Sequence, residues 1–182
     1  MSKGRANYPV TDISWHQAQE YIRWLNHKHQ TDLPLEHVFR LPSEAEWEKS
    51  ARGVDGNIYP WGNTFDARRC NALETGVGAT SVVGSFSPQG DSSFGVADMA
   101  GNVWEWTRSI GTRSDSSVFS YPYRFDDDRE DEKGSNENMY ILRGGSFKSN
   151  QQELRCANRI GFAPNTKESD FGFRIAIGVA ER

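Results

Sequence analysis

"FGVADMAGNVWEWT", residues 94–107, is the stretch that decides the fold. Gly101 lets the backbone turn tightly. The run "NVWEWT" that follows reads as a short strand rich in large rings. Asp98 and Glu105 are the carboxylates of the stretch, and Asn102 is its amide. One reading has Asp98 and Glu105 capping turns while Trp104 and Trp106 fill the core. The other has them hold calcium, which takes six to eight oxygens from carboxylates and carbonyls on a kinked loop. Both readings stay open on the residues alone.

Working outward, three more β-like segments follow: "YILRGG" (140–145), "ELRCANR" (153–159) and "FGFRIAIGVA" (171–180). They predict an antiparallel sheet in the C-terminal half. Upstream, two helices are legible. In "TDISWHQAQEYIRWLNHKH", Ser14 with Gln17 is a capping-box pattern, and Ala18, Tyr21, Ile22 and Leu25 give one apolar face. In "LPSEAEWEKSARG", Ser43 caps, Glu46 sits three residues on, Ala45, Trp47 and Ala51 pack, and Gly53 stops the helix. Glu44, Glu46 and Glu48 lie where a helix dipole favours negative charge. Residues 53–100 show no long helical period and read as loops with short strands. "FDDDREDEKGSNEN" (125–138) reads as a solvated acidic loop. The class is α+β: two early helices, a small antiparallel sheet and much ordered loop.

Composition bounds the function. The 182 residues suffice for one domain, taken as 1–182. Hydrophobic residues are only 36% while aromatics reach 12%, so the core is built from rings more than aliphatics. A net charge of −4 argues against a nucleic-acid partner. No apolar run approaches the roughly 20 residues of a membrane span, and the first residues lead into no signal-peptide core. A cytoplasmic location is expected. The two cysteines, Cys70 and Cys156, do not suggest a disulfide-stapled module.

Five stretches in fixed order, "RLPSEAEWEKSARG" (40–53), "YPWGN" (59–63), "FGVADMAGNVWEWT", "LRGGSF" (142–147) and "GFR" (172–174), resemble the formylglycine-generating-enzyme family, the sulfatase-modifying-factor domain. The resemblance implies a C-type-lectin-like fold of this enzyme type, in which family domains begin further upstream. Part of the usual N-terminal region is therefore expected to be missing. It also implies a structural calcium site at the side chains of Asp98 and Glu105 and the carbonyls of Gly101 and Val103. A second would begin at Asn71 and the carbonyl of Ala72, but its later acidic position falls at Ala79.

Enzymes of this family oxidise a sulfatase cysteine to formylglycine with oxygen and copper held by two cysteines after "GGS". Here the first of those positions is Ser149 and the second falls within 149–153, which contains no cysteine. A serine hydroxyl is a hard donor and does not replace a thiolate toward Cu(I). Ser146 matches a family active-site serine, and Cys156 reads as a buried structural thiol. No catalytic residue and no copper are expected. There is no G-x-S-x-G elbow, and His27 and His29 lack the i, i+4 zinc spacing.

The family's variable proteins of diversity-generating retroelements carry their diversified residues between "RGGS" and "GFR". Here that segment, 147–171, mixes amides, Ser and Lys with Phe147, Phe162 and Phe171, a mix that suits a binding face. Leu154, Arg155, Ala157 and Arg159 are expected to form its frame. Lys148, Ser149, Asn150, Gln151, Gln152, Asn158, Ile160, Phe162, Asn165 and Lys167 are expected to face outward. The expected function is non-catalytic binding of a protein or other macromolecular ligand. The alternative is a formylglycine-generating oxidase.

Overall fold

The computed structural model describes residues 5–119, 121–124, 126–130 and 136–180. Helix α1 spans Trp15–His29, strand β1 His37–Arg40 and helix α2 Glu44–Arg52. Both helices start as their sequences dictate. The Ser14 backbone N–H donates to Gln17 Oε1 at 3.2 Å, and Gln17 N–H donates to Ser14 Oγ at 3.3 Å. Ser43 and Glu46 exchange the same reciprocal pair, and Gly53 closes α2 with φ +68°. Such a box satisfies two orphan amides and stabilises a helix by about 1 kcal/mol.

Strands β2 (Trp104–Thr112), β3 (Met139–Arg143), β4 (Arg159–Phe162) and β5 (Phe171–Phe173) form a sheet in the order β4-β3-β2-β5. Strand β6 (Ala176–Val179) pairs with β1 in a separate two-stranded sheet. The larger sheet is mixed: β2–β3 and β3–β4 are antiparallel, whereas β5 lies parallel to β2. The predicted all-antiparallel sheet is corrected there, because the connection from β4 carries the chain past β3 and β2 before it re-enters.

Rings fill the core. Trp15, which sequence periodicity omitted, stacks on Tyr140 with centroids 4.0 Å apart and donates to Thr107 O at 2.9 Å. Trp106 donates to Ile13 O at 2.9 Å, so the indole N–H groups of Trp15 and Trp106 are both satisfied inside the apolar cluster. Of the face predicted for α1, Ala18 and Ile22 are buried, but Tyr21 stays 44% exposed.

Two further expectations are corrected. Residues 153–157 are turns and bends rather than a strand, and strand β4 begins only at Arg159. Leu154 and Cys156 are buried and Arg155 and Ala157 exposed, which mimics a strand's alternation. Cys156 N–H, however, bonds to Ile58 O at 2.8 Å, a loop partner. The acidic loop falls partly outside the described residues, at 125 and 131–135. Its described part is not simply solvated. Arg129 is 1% exposed, paired with Asp127 at 2.6 Å and packed on the rings of Phe119 and Tyr123. Glu130 accepts from Ser109 Oγ at 2.6 Å and pairs with Arg108 at 3.2 Å.

Candidate functional site

The segment after β3 begins with two glycines at φ +97° and +74°. At Gly145 a Cβ would lie 2.6 Å from Leu154 Cδ2, so only glycine turns the chain here without displacing the core. Ser146 follows, fully buried, with its hydroxyl donating to Asp170 Oδ2 at 2.7 Å. The other Asp170 oxygen accepts from Lys148 Nζ at 2.8 Å. Asp170 thereby clamps the two ends of the 147–171 segment, a role sequence reasoning missed. Its only sequence signal is its place beside Phe171.

Between these ends the backbone is held from below. Ser149 O accepts from Leu73 N–H at 3.0 Å, Gln151 O from Tyr59 Oη at 3.1 Å, and Glu74 Oε1 from Gln151 N–H at 2.8 Å. Arg143, wholly buried, donates to the carbonyls of Cys156 (3.1 Å) and Asn158 (2.6 Å). Its other nitrogens face Glu44 at 3.3 Å and Glu48. Glu44 is only 1% exposed and also takes both arms of Arg159, at 2.6 and 2.7 Å. An acid that reads as a helix-dipole residue is thus the centre of the frame beneath the loop.

The structure sorts the residues expected to face outward. Lys148, Asn150, Gln151, Gln152, Phe162, Asn165 and Lys167 are exposed; Asn158 and Ile160 are half-buried. Ser149 is corrected: it is 3% exposed, and its hydroxyl accepts from Ser146 N–H at 3.1 Å. Asn150 and Asn158 are partly structural. Asn150 Oδ1 accepts from Gln152 N–H at 2.9 Å, and Asn158 Nδ2 donates to Glu153 O at 2.9 Å. In the expected frame, Leu154 is fully buried and Arg159 half-buried, but Arg155 and Ala157 are exposed.

The "DMAGNVWEW" turn lies below. A Cβ at Gly101 (φ +81°) would stand 2.2 Å from Asn71 O, so this turn requires glycine. Gly101 O accepts from Val103 N–H at 3.0 Å. Glu105 is held by Trp47 Nε1 at 2.6 Å and by both arms of Arg174, at 2.5 and 2.7 Å. Arg174 also reaches the carbonyls of Ala97 and Asp98, at 3.2 and 3.3 Å. Asp98 accepts from Gly84 N–H at 2.7 Å. Burial raises its pKa, and nearby Glu105 adds to the effect. Asn71 Nδ2 donates to Ala79 O at 2.9 Å and Ser81 Oγ at 3.1 Å. Its buried Oδ1 has no hydrogen-bond partner among the described residues.

Both thiols are free and buried. Cys70 packs with Tyr59, Ala72, Ala100 and Leu154, and Cys156 with Trp47, Ala51 and Met99. Burial pushes each thiol up to about 12.

This fold, α+β and C-type-lectin-like, with an irregular polar loop braced on a small mixed sheet, defines the class of scaffold used by formylglycine-generating enzymes and their variants. Residues 1–179 match the sulfatase-modifying factor enzyme 1-like domain, and the chain belongs to that family. It is 32% identical to the inactive C-alpha-formylglycine-generating enzyme 2 of Bos taurus, over 96% of this chain and 52% of that protein. It is 33% identical to the formylglycine-generating enzyme of Thermomonospora curvata, over 94% and 56%. The chain therefore spans about half the length of these relatives. Among solved structures, Treponema denticola variable protein 1 superposes with a TM-score of 0.77 at 22% identity, over 99% of this chain and 74% of that one. PvdO from Pseudomonas aeruginosa gives 0.68 at 26%, over 96% and 63%. No helix among the described residues is long and apolar enough to cross a membrane.

Proposed function

We propose that this domain binds a macromolecular ligand, most simply a protein, through the 147–171 face and does not catalyse oxidation. The observation that carries this reading is the division of labour in the loop. Its backbone is fixed by Arg143, Tyr59, Leu73 and Glu74 and its ends by Asp170 through the Ser146 and Lys148 side chains, while Gln151, Gln152, Phe162, Asn165 and Lys167 remain exposed. A surface fixed in this way tolerates side-chain exchange without loss of fold and gives up little entropy on binding. The superposition on a Treponema variable protein supports the retroelement version of the reading, in which this segment is the diversified one.

Copper does not fit the residues present. Cu(I) takes thiolates, and these two thiols stay protonated in separate apolar clusters. Calcium fits poorly as well. Arg174 already neutralises Glu105, and Asn71 offers a single orphan amide oxygen with Ala79 where an acid is needed. Arg174 supplies the positive charge that a cation would bring.

The test is a triple variant, Gln151→Ser, Gln152→Ser and Lys167→Ser, whose unfolding free energy stays within about 1 kcal/mol of the parent. Loss of cooperative unfolding would make the segment core and end the reading. A reverse-transcriptase gene beside this one, with a near-copy of the 147–171 coding segment, is the expected sign of diversification. Its absence would remove the retroelement version and leave binding to be tested alone.

A further inference from the structure

Lys148 lies half exposed on the binding face, yet its ammonium is already engaged from three sides. Nζ donates to Asp170 Oδ1 at 2.8 Å and to Ser169 Oγ at 2.9 Å, and it stands 5.4 Å from the centre of the Phe147 ring. An ammonium carries three N–H donors, and here a carboxylate, a hydroxyl and an aromatic face surround it.

The carboxylate it meets is enclosed. The Asp170 side chain is 9% exposed. Its backbone oxygen accepts from Trp104 N–H at 2.8 Å, which fixes the residue to the start of β2. Oδ2 takes the Ser146 hydroxyl, and Ser146 Oγ in turn accepts from Lys148 N–H at 3.2 Å. Ser146 brings no charge, so among the described residues Lys148 is the one cation paired with Asp170. A buried carboxylate is costly unless it is paired. A neutral side chain at 148 leaves that charge uncompensated, and releasing the loop to let water reach Asp170 is the relief open to it. The side chains of Gln151, Gln152 and Lys167 hold no comparable partner among the described residues.

We propose that Lys148 is a positioning residue of the binding face and not one of its contacts. Position 148 must carry a cation for the loop to keep its shape, whereas positions 151, 152 and 167 are free to vary. This rests on the binding reading of the 147–171 face and narrows it, because the surface offered to a partner then starts after Ser149. In diversified copies, position 148 stays lysine or arginine while the exposed positions change.

Hydrogen exchange on the whole chain reads the latch without any partner. In Lys148→Met, the amides of Phe147, Ser149 and Phe171 should exchange at least about tenfold faster than in the parent. Lys148→Arg keeps the charge and should hold them within about threefold. Lys167→Met, a control on the same face, should leave them unchanged. Beside Asp170→Asn, Lys148→Met should add nothing, since no charge is left to pair. For binding, a display library varied at 151, 152, 162, 165 and 167 is selected against lysozyme as the probe. In a selected binder, Lys148→Met should weaken binding at least about tenfold, and Asp170→Asn should cancel that effect. Unchanged exchange in Lys148→Met, or an effect that persists in full beside Asp170→Asn, overturns the proposal. If no binder emerges, the binding reading fails and the exchange rates still decide the latch. If Lys148→Met does not fold, recovery of folding in the double variant with Asp170→Asn supports the latch, and no recovery overturns it.

Discussion

Replacing Glu44 by alanine tests whether the charged frame beneath the loop holds the fold. Glu44 is enclosed at 1% exposure and faces two guanidiniums, Arg159 through two bonds at 2.6 and 2.7 Å and Arg143 at 3.3 Å. Breaking a buried ion pair by removing one partner costs about 3–5 kcal/mol, because the other charge is left without compensation. Two features moderate this. Arg143 keeps Glu48, and the Arg159 side chain is 26% exposed and can take water. The expected loss is therefore about 3 kcal/mol, at the lower end of that range. For a chain of this size it corresponds to a fall of roughly 6–12 °C in melting temperature. Glu44→Gln keeps the shape and one acceptor oxygen and should lose about half as much. Urea unfolding followed by tryptophan fluorescence reads this directly: the midpoint should fall while the slope stays constant. Arg143 also holds the Cys156 and Asn158 carbonyls, so the alanine variant should make the Cys156 thiol reactive in the folded state. A loss below about 1 kcal/mol, with Cys156 still protected, would refute the account of Glu44 as the keystone of the frame.

Other outcomes follow from the same structure. In the parent protein, thiols pushed up to about 12 leave a thiolate fraction of about one in 10⁴ at pH 8. Ellman's reagent should therefore find no reactive cysteine until urea unfolds the chain, and prompt labelling of the folded protein would contradict the burial. At Glu46, burial opposes the charge, but the Arg40 hydrogen bonds, the Ser43 N–H and the Arg40 and Arg108 charges outweigh it, holding the carboxyl down to about 2. A pKa lower in the folded state means the contribution is complete above about pH 5 and is lost as pH falls from there toward 2. Urea midpoints at successive pH values should show Glu46→Gln flattening that acid slope, and an unchanged slope would refute it. EGTA is expected to leave the melting temperature unchanged, because Arg174 already occupies Glu105 and Asn71 offers one amide oxygen beside Ala79; a clear fall would show that calcium is bound.

Much of the fold was legible because local and tertiary signals agree. Ser43 and Glu46 spell a capping box and make one, and "NVWEWT" enters β2 with both tryptophans inside. The candidate site was legible as a segment but not residue by residue. Ser149 carries no signal that distinguishes a buried hydroxyl from an exposed one. Its burial follows from the Gly144-Gly145 turn, which brings its Oγ to the Ser146 N–H. Residues 153–159 alternate like a strand, yet Cys156 finds its partner in the Ile58 loop, and only the tertiary fold supplies that partner. The network of Glu44, Glu48, Arg143 and Arg159 joins residues 115 positions apart at its widest, beyond the reach of any local pattern. Asp170 and Arg174 also act beyond local range, on Ser146 24 positions away and on Glu105 69 positions away.

The claim that this member of the family binds rather than oxidises is tested most directly by its affinity for Cu(I). A chromophoric Cu(I) chelator titrated against the folded protein should keep its copper, with no competition at equimolar protein. Stoichiometric withdrawal of one copper per chain, abolished by Cys70→Ser or Cys156→Ser, would contradict the account.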